Sequence, residues 1–145
     1  RLAEPFEELR QRSAAHRKSN SEAPQIGLLT FGELKDYKPR ADFMKALAAA
    51  GGIEVVEGSG VDAIDFIKKT SLHTLCLCGS DEDYKVQVVK DIKKELPQVR
   101  LYLAGKQKEE VEDEFKEAGI QDVLHSKTNA VELLTEWHKQ LGVKA

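Results

Sequence analysis

From Gln25 onward the sequence switches repeatedly between two periodicities, and that switching leaves few folds open. Short apolar runs cover Ile26 to Phe31, Ile53 to Val56, Thr74 to Cys78, Val99 to Ala104 and, more weakly, Asp122-Val123-Leu124-His125. They are nearly continuous rather than alternating, which is how strands covered on both faces read. Between and after them come segments with helical spacing: Phe43, Leu47 and Ala50; Ala63, Ile64 and Ile67; Val88, Val89, Ile92 and Leu96; Val111, Phe115 and Ala118; Val131, Leu134 and Leu141. Pro39 marks the start of the first of these helices. Ser80, with Asp83 three residues on, precedes the third, and Asn129 with Glu132 precedes the last. Gly51-Gly52 and Gly119 stand where helices should end. Five β units alternating with five α units predict an α/β fold: a doubly wound, five-stranded parallel sheet with right-handed crossovers, in the flavodoxin-like order 2-1-3-4-5.

The first 24 residues stand apart from this pattern. Leu2, Phe6 and Leu9 share one face of a helical stretch, Pro5 fits its first turn, and Ser19-Asn20-Ser21-Glu22-Ala23-Pro24 is a polar connector. The expected organisation is therefore an N-terminal helix and linker over 1–24 and an α/β domain over 25–145. The apolar stripe of the helix is expected to be incompletely covered by that domain, leaving Phe6 and Leu9 as a docking surface.

Composition excludes several classes of function. At 145 residues with 41% apolar side chains, the chain can bury a core without disulfide or metal staples. Lys and Arg number 22 against 25 Asp and Glu, so there is no basic footprint for nucleic acid. No apolar run approaches the length of about 18 residues that a membrane span needs, and the expected location is cytoplasmic. Cys76 and Cys78 are expected on opposite faces of the third strand, as free buried thiols.

Ligands of open α/β sheets bind beyond the carboxyl ends of the strands, where the strand order reverses. That places any site in the segment Gly32 to Lys38 after the first strand and in Gly79-Ser80-Asp81-Glu82-Asp83 after the third. Read as a loop, the first segment exceeds the usual span of about two to six residues, a hint of function. A flavin phosphate cradle would need more Gly, Ser and Thr than Phe31-Gly32-Glu33-Leu34-Lys35 offers. A phospho-receiver would need an Asp where Cys78 ends the third strand, although Ser126-Lys127 is receiver-like. Gly-x-Gly-x-x-Gly is absent after the first strand, and Gly58-Ser59-Gly60 reads as a turn and helix cap following the second.

Four stretches carry a resemblance to a known family. They are the opening Arg1-Leu2-Ala3-Glu4-Pro5-Phe6-Glu7-Glu8-Leu9-Arg10 with Ser13 and His16; Gly58 before Val61-Asp62-Ala63-Ile64; Leu101-Tyr102-Leu103-Ala104-Gly105; and Glu114 to Val123. Together they resemble the small, non-catalytic subunit of adenosylcobalamin-dependent methylmalonyl-CoA mutase, in its C-terminal cobalamin-binding-like domain. The resemblance implies a structural role. A catalytic large subunit, the partner in a heterodimer, would hold adenosylcobalamin and interconvert methylmalonyl-CoA and succinyl-CoA.

The departures from that pattern fall at the cofactor. The family's cobalamin-binding version carries Asp-x-His-x-x-Gly after the first strand, where the His ligates cobalt and the Asp orients it. This sequence contains no such motif. Cys78 stands where the resemblance would place a Ser, and Ala104 where it would place the first Gly of a pair. His16, His73, His125 and His138 are expected to be structural or surface residues. The expectation is thus no catalytic residue, no metal and no cofactor bound by this chain. The alternative is a small-molecule or corrinoid-binding flavodoxin-like protein whose residual crevice is lined by Lys35, Tyr37, Ser80 and Gly105.

Overall fold

A computed structural model of the protein describes residues 4–145; Leu2 lies outside the described residues. The strands are β1 (Gln25–Thr30), β2 (Glu54–Ser59), β3 (Thr74–Cys78), β4 (Arg100–Ala104) and β5 (Ile120–Leu124). The helices are α1 (Glu4–Asn20), α2 (Leu34–Ala50), α3 (Ala63–Thr70), α4 (Val86–Glu95), α5 (Glu109–Ala118) and α6 (Ala130–Gln140). All strand pairs are parallel and the order is β2-β1-β3-β4-β5, as the alternation of periods predicts. Strand order reverses between β1 and β3.

Side-chain alternation along the strands divides the core in two. Ile26, Leu28, Cys76, Cys78, Tyr102, Ala104 and Leu124 face a layer built from α2 and α6. Leu29, Leu75, Leu77, Leu101, Leu103 and Val123 face α3, α4 and α5. Cys76 and Cys78 therefore share a face, which corrects the expectation that they would be opposed: residues two apart in a strand point the same way. Both are free and buried. Burial pushes the Cys76 thiol up, with neighbouring Cys78 adding to the effect, so it is held as an unreactive thiol. Trp137 is fully buried and meets Tyr102 edge-on at 5.6 Å, a core residue rather than a contact surface.

Three boundaries differ from the sequence reading, each for a local reason. Helix α2 begins at Leu34, well before Pro39. Glu33 and Asp36 cap it reciprocally, the Glu33 amide donating to Asp36 Oδ2 at 2.9 Å. Pro39 then lies inside the helix, where it removes one i→i−4 bond, the one that Lys35 O would accept. Strand β2 continues through Gly58 and Ser59, which pair with Leu29 and Thr30, so the turn begins only at Gly60. Strand β5 starts at Ile120 and carries an irregularity: Leu101 pairs with Ile120 but Tyr102 pairs with Asp122. That extra residue leaves Gln121 and Asp122 both exposed and disguises the strand.

Helix α1 packs outside the α2/α6 layer without displacing either helix. Leu9 is only 2% exposed and belongs to the core, with Phe6 packed against it. The expectation that Leu9 would remain uncovered in this chain is therefore corrected. A buried polar knot fixes the helix. Ser13 Oγ donates to Gly51 O at 2.6 Å, and His138 Nε2 lies 3.0 Å from Gly51 O and 3.1 Å from Ser13 Oγ. A carbonyl can only accept, so this geometry assigns the proton to Nε2. Nδ1 is buried without a hydrogen-bond partner among the described residues.

Candidate functional site

The crevice at the reversal of strand order is floored by the ends of β1, β3 and β4. Because α2 starts at Leu34, the connection after β1 is only the three residues Phe31–Glu33, not the long loop from Gly32 to Lys38 expected from sequence. Lys35 and Tyr37 consequently ride on the first turns of α2. The Lys35 side chain is 79% exposed and pairs with Glu33 at 3.8 Å. Tyr37 is half-buried and packs against the α2/α6 core. Neither has a hydrogen bond or ion pair with Ser80 or Gly105 among the described residues.

Ser80 and Gly105 do come together, at the ends of adjacent strands. Ser80 caps a 3-10 turn over Asp81–Asp83, with its hydroxyl donating to Asp83 Oδ2 at 2.8 Å. The paired Ser80 and Asp83 thus cap this turn rather than α4, whose first residue is Val86. Gly105 has φ +106, open to glycine and rarely to other residues. The space beside it is filled: a Cβ on Gly105 would lie 2.2 Å from Arg40 Cζ.

Arg40 is the residue that sequence reasoning missed, and it organises the crevice. It reaches from α2 across the strand ends, donating to Gly79 O at 2.8 Å and pairing with Asp81 Oδ1 at 2.8 Å. Its guanidinium carbon stands 5.5 Å from the centre of the Tyr84 ring. Gln107 Nε2 donates both to Asp81 Oδ1 and to Gly105 O, each at 3.0 Å. Tyr84 is buried, accepts from the Gly79 amide at 3.1 Å, and its hydroxyl meets Leu77 O and Ala104 O. The network stitches the β3 and β4 ends to α2. Burial works against charge on Arg40, but its bond to Asp81 prevails and holds the guanidinium more basic than usual. Partial burial of Asp81 is likewise outweighed, here by donors from Gln107 and Arg40, so its carboxyl sits below the usual carboxylate range. Burial above all pushes the Tyr84 phenol well up, so it stays protonated. The signal for Arg40 was present in the sequence: it lies three residues after Tyr37 and four before Met44, a lone cation on the apolar stripe of α2.

The histidines lie away from this crevice floor. His138 is buried in the knot beneath α1, and His125 follows β5, where its Nδ1 accepts from the Lys127 amide at 3.2 Å. No cluster of His, Cys, Asp and Glu suited to a metal ion occurs among the described residues. No helix among them is long and apolar enough to cross a membrane.

Order, parallel sheet and switch-point crevice define a doubly wound domain of the flavodoxin-like class, and solved structures agree. A CheY-like protein from Pseudomonas aeruginosa superposes with TM-score 0.62 at 14% identity, over 83% of this chain and 95% of that one. A two-component response regulator from Aurantimonas gives 0.60 at 15% identity, covering 81% and 84%. These likenesses speak for the fold alone. Sequence takes the comparison further. Over 99% of its length the chain is 31% identical to the methylmalonyl-CoA mutase small subunit of Streptomyces virginiae. A Mycobacterium bovis relative carrying the same subunit name matches 98% of the chain, also at 31% identity. The resemblance read from the sequence is thereby borne out. The chain spans about a quarter of the length of these relatives, 23% and 24% respectively. No family model matches it.

Proposed function

We propose that this chain is the C-terminal, structural domain of a methylmalonyl-CoA mutase small subunit, acting in the cytoplasm within a heterodimer. The catalytic large subunit would hold adenosylcobalamin and carry out the isomerisation, and this domain would contribute fold and contacts rather than chemistry. The observation that carries the reading is Arg40, seated against Gly105 and paired with Asp81, together with relatives named as small subunits. A corrinoid crevice needs room beside glycine backbone at the strand ends and an imidazole presented from the β1 connection. Here a guanidinium fills the first position, and Phe31, Gly32 and Glu33 occupy the second. The residues present do not fit the group, and no reaction step runs through this crevice.

Two measurements test the reading. Hydroxocobalamin mixed with the chain should keep its visible spectrum and dialyse away freely. Co-expression with a mutase large subunit should yield a complex that survives gel filtration. Retention of about one equivalent of corrinoid with a base-off, histidine-ligated spectrum would overturn the first part, and failure to form a complex the second.

A further inference from the structure

On the opposite side of β1 from Arg40 lies a groove that the proposed function leaves unused. It has a volume of about 490 Å³ and runs between the start of α3 and α4. Its apolar surface comes from Phe31, Val61, Ile64 and Val88. Val61 is 87% exposed, and the backbone holds it there. Ser59 Oγ accepts from the Val61 amide at 3.3 Å, and buried Gly60 lies so close to the Phe31 ring that a Cβ would come within 2.2 Å of it. A large aliphatic side chain on a capped turn, next to a groove of ligand-site size, is surface that gains free energy when covered.

Charge says what covers it. Four carboxylates border the groove, Asp62, Asp65, Asp83 and Asp91, against the single cation Lys85. None of the four has a Lys, Arg or His partner within ion-pair distance among the described residues. Asp83 is bonded to Ser80 and Asp91 to Gln87. The nearby cation Lys68 is turned to Glu95 at 3.7 Å. An apolar channel with an uncompensated acidic border fits a complementary surface of opposite sign. A second copy of this chain, net −3, would add carboxylates. We infer that the α3–α4 groove docks a cationic polypeptide segment, with an aliphatic or aromatic side chain seated beside Val61 and flanking Lys or Arg residues over the four aspartates. This inference does not depend on the mutase reading and can fail or stand alone.

The probe is a phage-displayed library of random dodecapeptides panned on the 145-residue chain. The expected consensus is Leu, Ile, Val or Phe flanked by Lys or Arg. A synthetic peptide of that consensus should shift amide resonances of residues 60–65 and 83–91. Asp62→Lys with Asp65→Lys, and separately Val61→Asp, should each weaken it about tenfold while circular dichroism shows the fold retained. Should Val61→Asp disturb the turn, Asp91→Lys provides the same reading from α4. No enrichment, an acidic or uncharged consensus, or resonance shifts elsewhere would overturn the inference. So would self-association of the chain that Val61→Asp abolishes, which would make a second copy the occupant.

Discussion

If Arg40 fills the space beside Gly105, then Arg40→Ala and Gly105→Ala must be energetically coupled. Arg40→Ala removes a charge-assisted bond to a buried carbonyl, worth about 1.5–3 kcal/mol. It also removes a cation–π contact of about 0.5–1 kcal/mol at a partly exposed site. The ion pair adds little, because the Asp81 side chain is 61% exposed. The expected loss is about 2–4 kcal/mol. Gly105→Ala costs about 1–2 kcal/mol for its left-handed backbone alone. Its Cβ would also collide with the Arg40 Nε and Cζ atoms, each 2.2 Å away. The cheapest relief is expulsion of the guanidinium, which forfeits most of what Arg40→Ala forfeits. The double variant should therefore lose about 1.5–3 kcal/mol less stability than the sum of the two single losses. Urea denaturation followed by far-UV circular dichroism gives all four corners of the cycle. Strict additivity would refute the reasoning, because it would mean that Arg40 does not occupy this space.

Other perturbations test the remaining features. Leu9→Ala should destabilise the chain by about 2–4 kcal/mol and lower its melting temperature, since the side chain is 2% exposed within the core; an unchanged melt would show that α1 is detachable. His138 is held below the ordinary histidine value, chiefly by burial, with the Gly51 bond opposing and the charges of Arg12 and His16 adding to the lowering. The unfolded chain then takes up its proton first, so stability should fall as pH drops below about 6.5, the ordinary histidine value. A urea midpoint series from pH 7.5 to pH 5 (a range set by the ordinary value) should show a slope that His138→Gln flattens. Tyr84→Phe should cost about 1–3 kcal/mol, because the Gly79 amide loses its acceptor; thermal melts report it directly.

Strands β1, β3 and β4 were legible because each is buried on both faces and reads as an unbroken apolar run. The edges were less so. Strand β2 has one unpaired edge and tolerates Glu54, Glu57 and Ser59 at exposed positions, so its apolar signal fades before its pairing does. Strand β5 hides behind its irregular register. Helix α2 was shortened because Pro39 looks like a start signal, whereas the reciprocal Glu33–Asp36 cap supplies the real one. At the site, Ser80 and Gly105 were legible from topology, which fixes strand ends. For Arg40 the periodicity of α2 marked only a lone cation on the apolar stripe; its role depends on a long side chain crossing from helix to strand ends, and spacing does not report where such a side chain lands.

That crossing satisfies polar groups at the strand ends from within the chain. Parallel strand ends at a reversal of order leave carbonyls such as Gly79 O and Gly105 O pointing into a cleft, and a bound molecule commonly satisfies such groups. Here Arg40 and Gln107 supply the donors from within the chain. Asp81 balances the charge that Arg40 brings, and Tyr84 closes the floor by joining Gly79 to Ala104. Removing a ligand from such a fold would leave buried acceptors unpaired at about 1–3 kcal/mol each, a cost that internal donors avoid. Arg40, Asp81, Gln107 and Tyr84 are each held by at least two partners. A domain whose switch point is internally satisfied can serve as a fixed contact surface, and across β1 the α3–α4 groove is bordered by four aspartates without a cationic partner among the described residues.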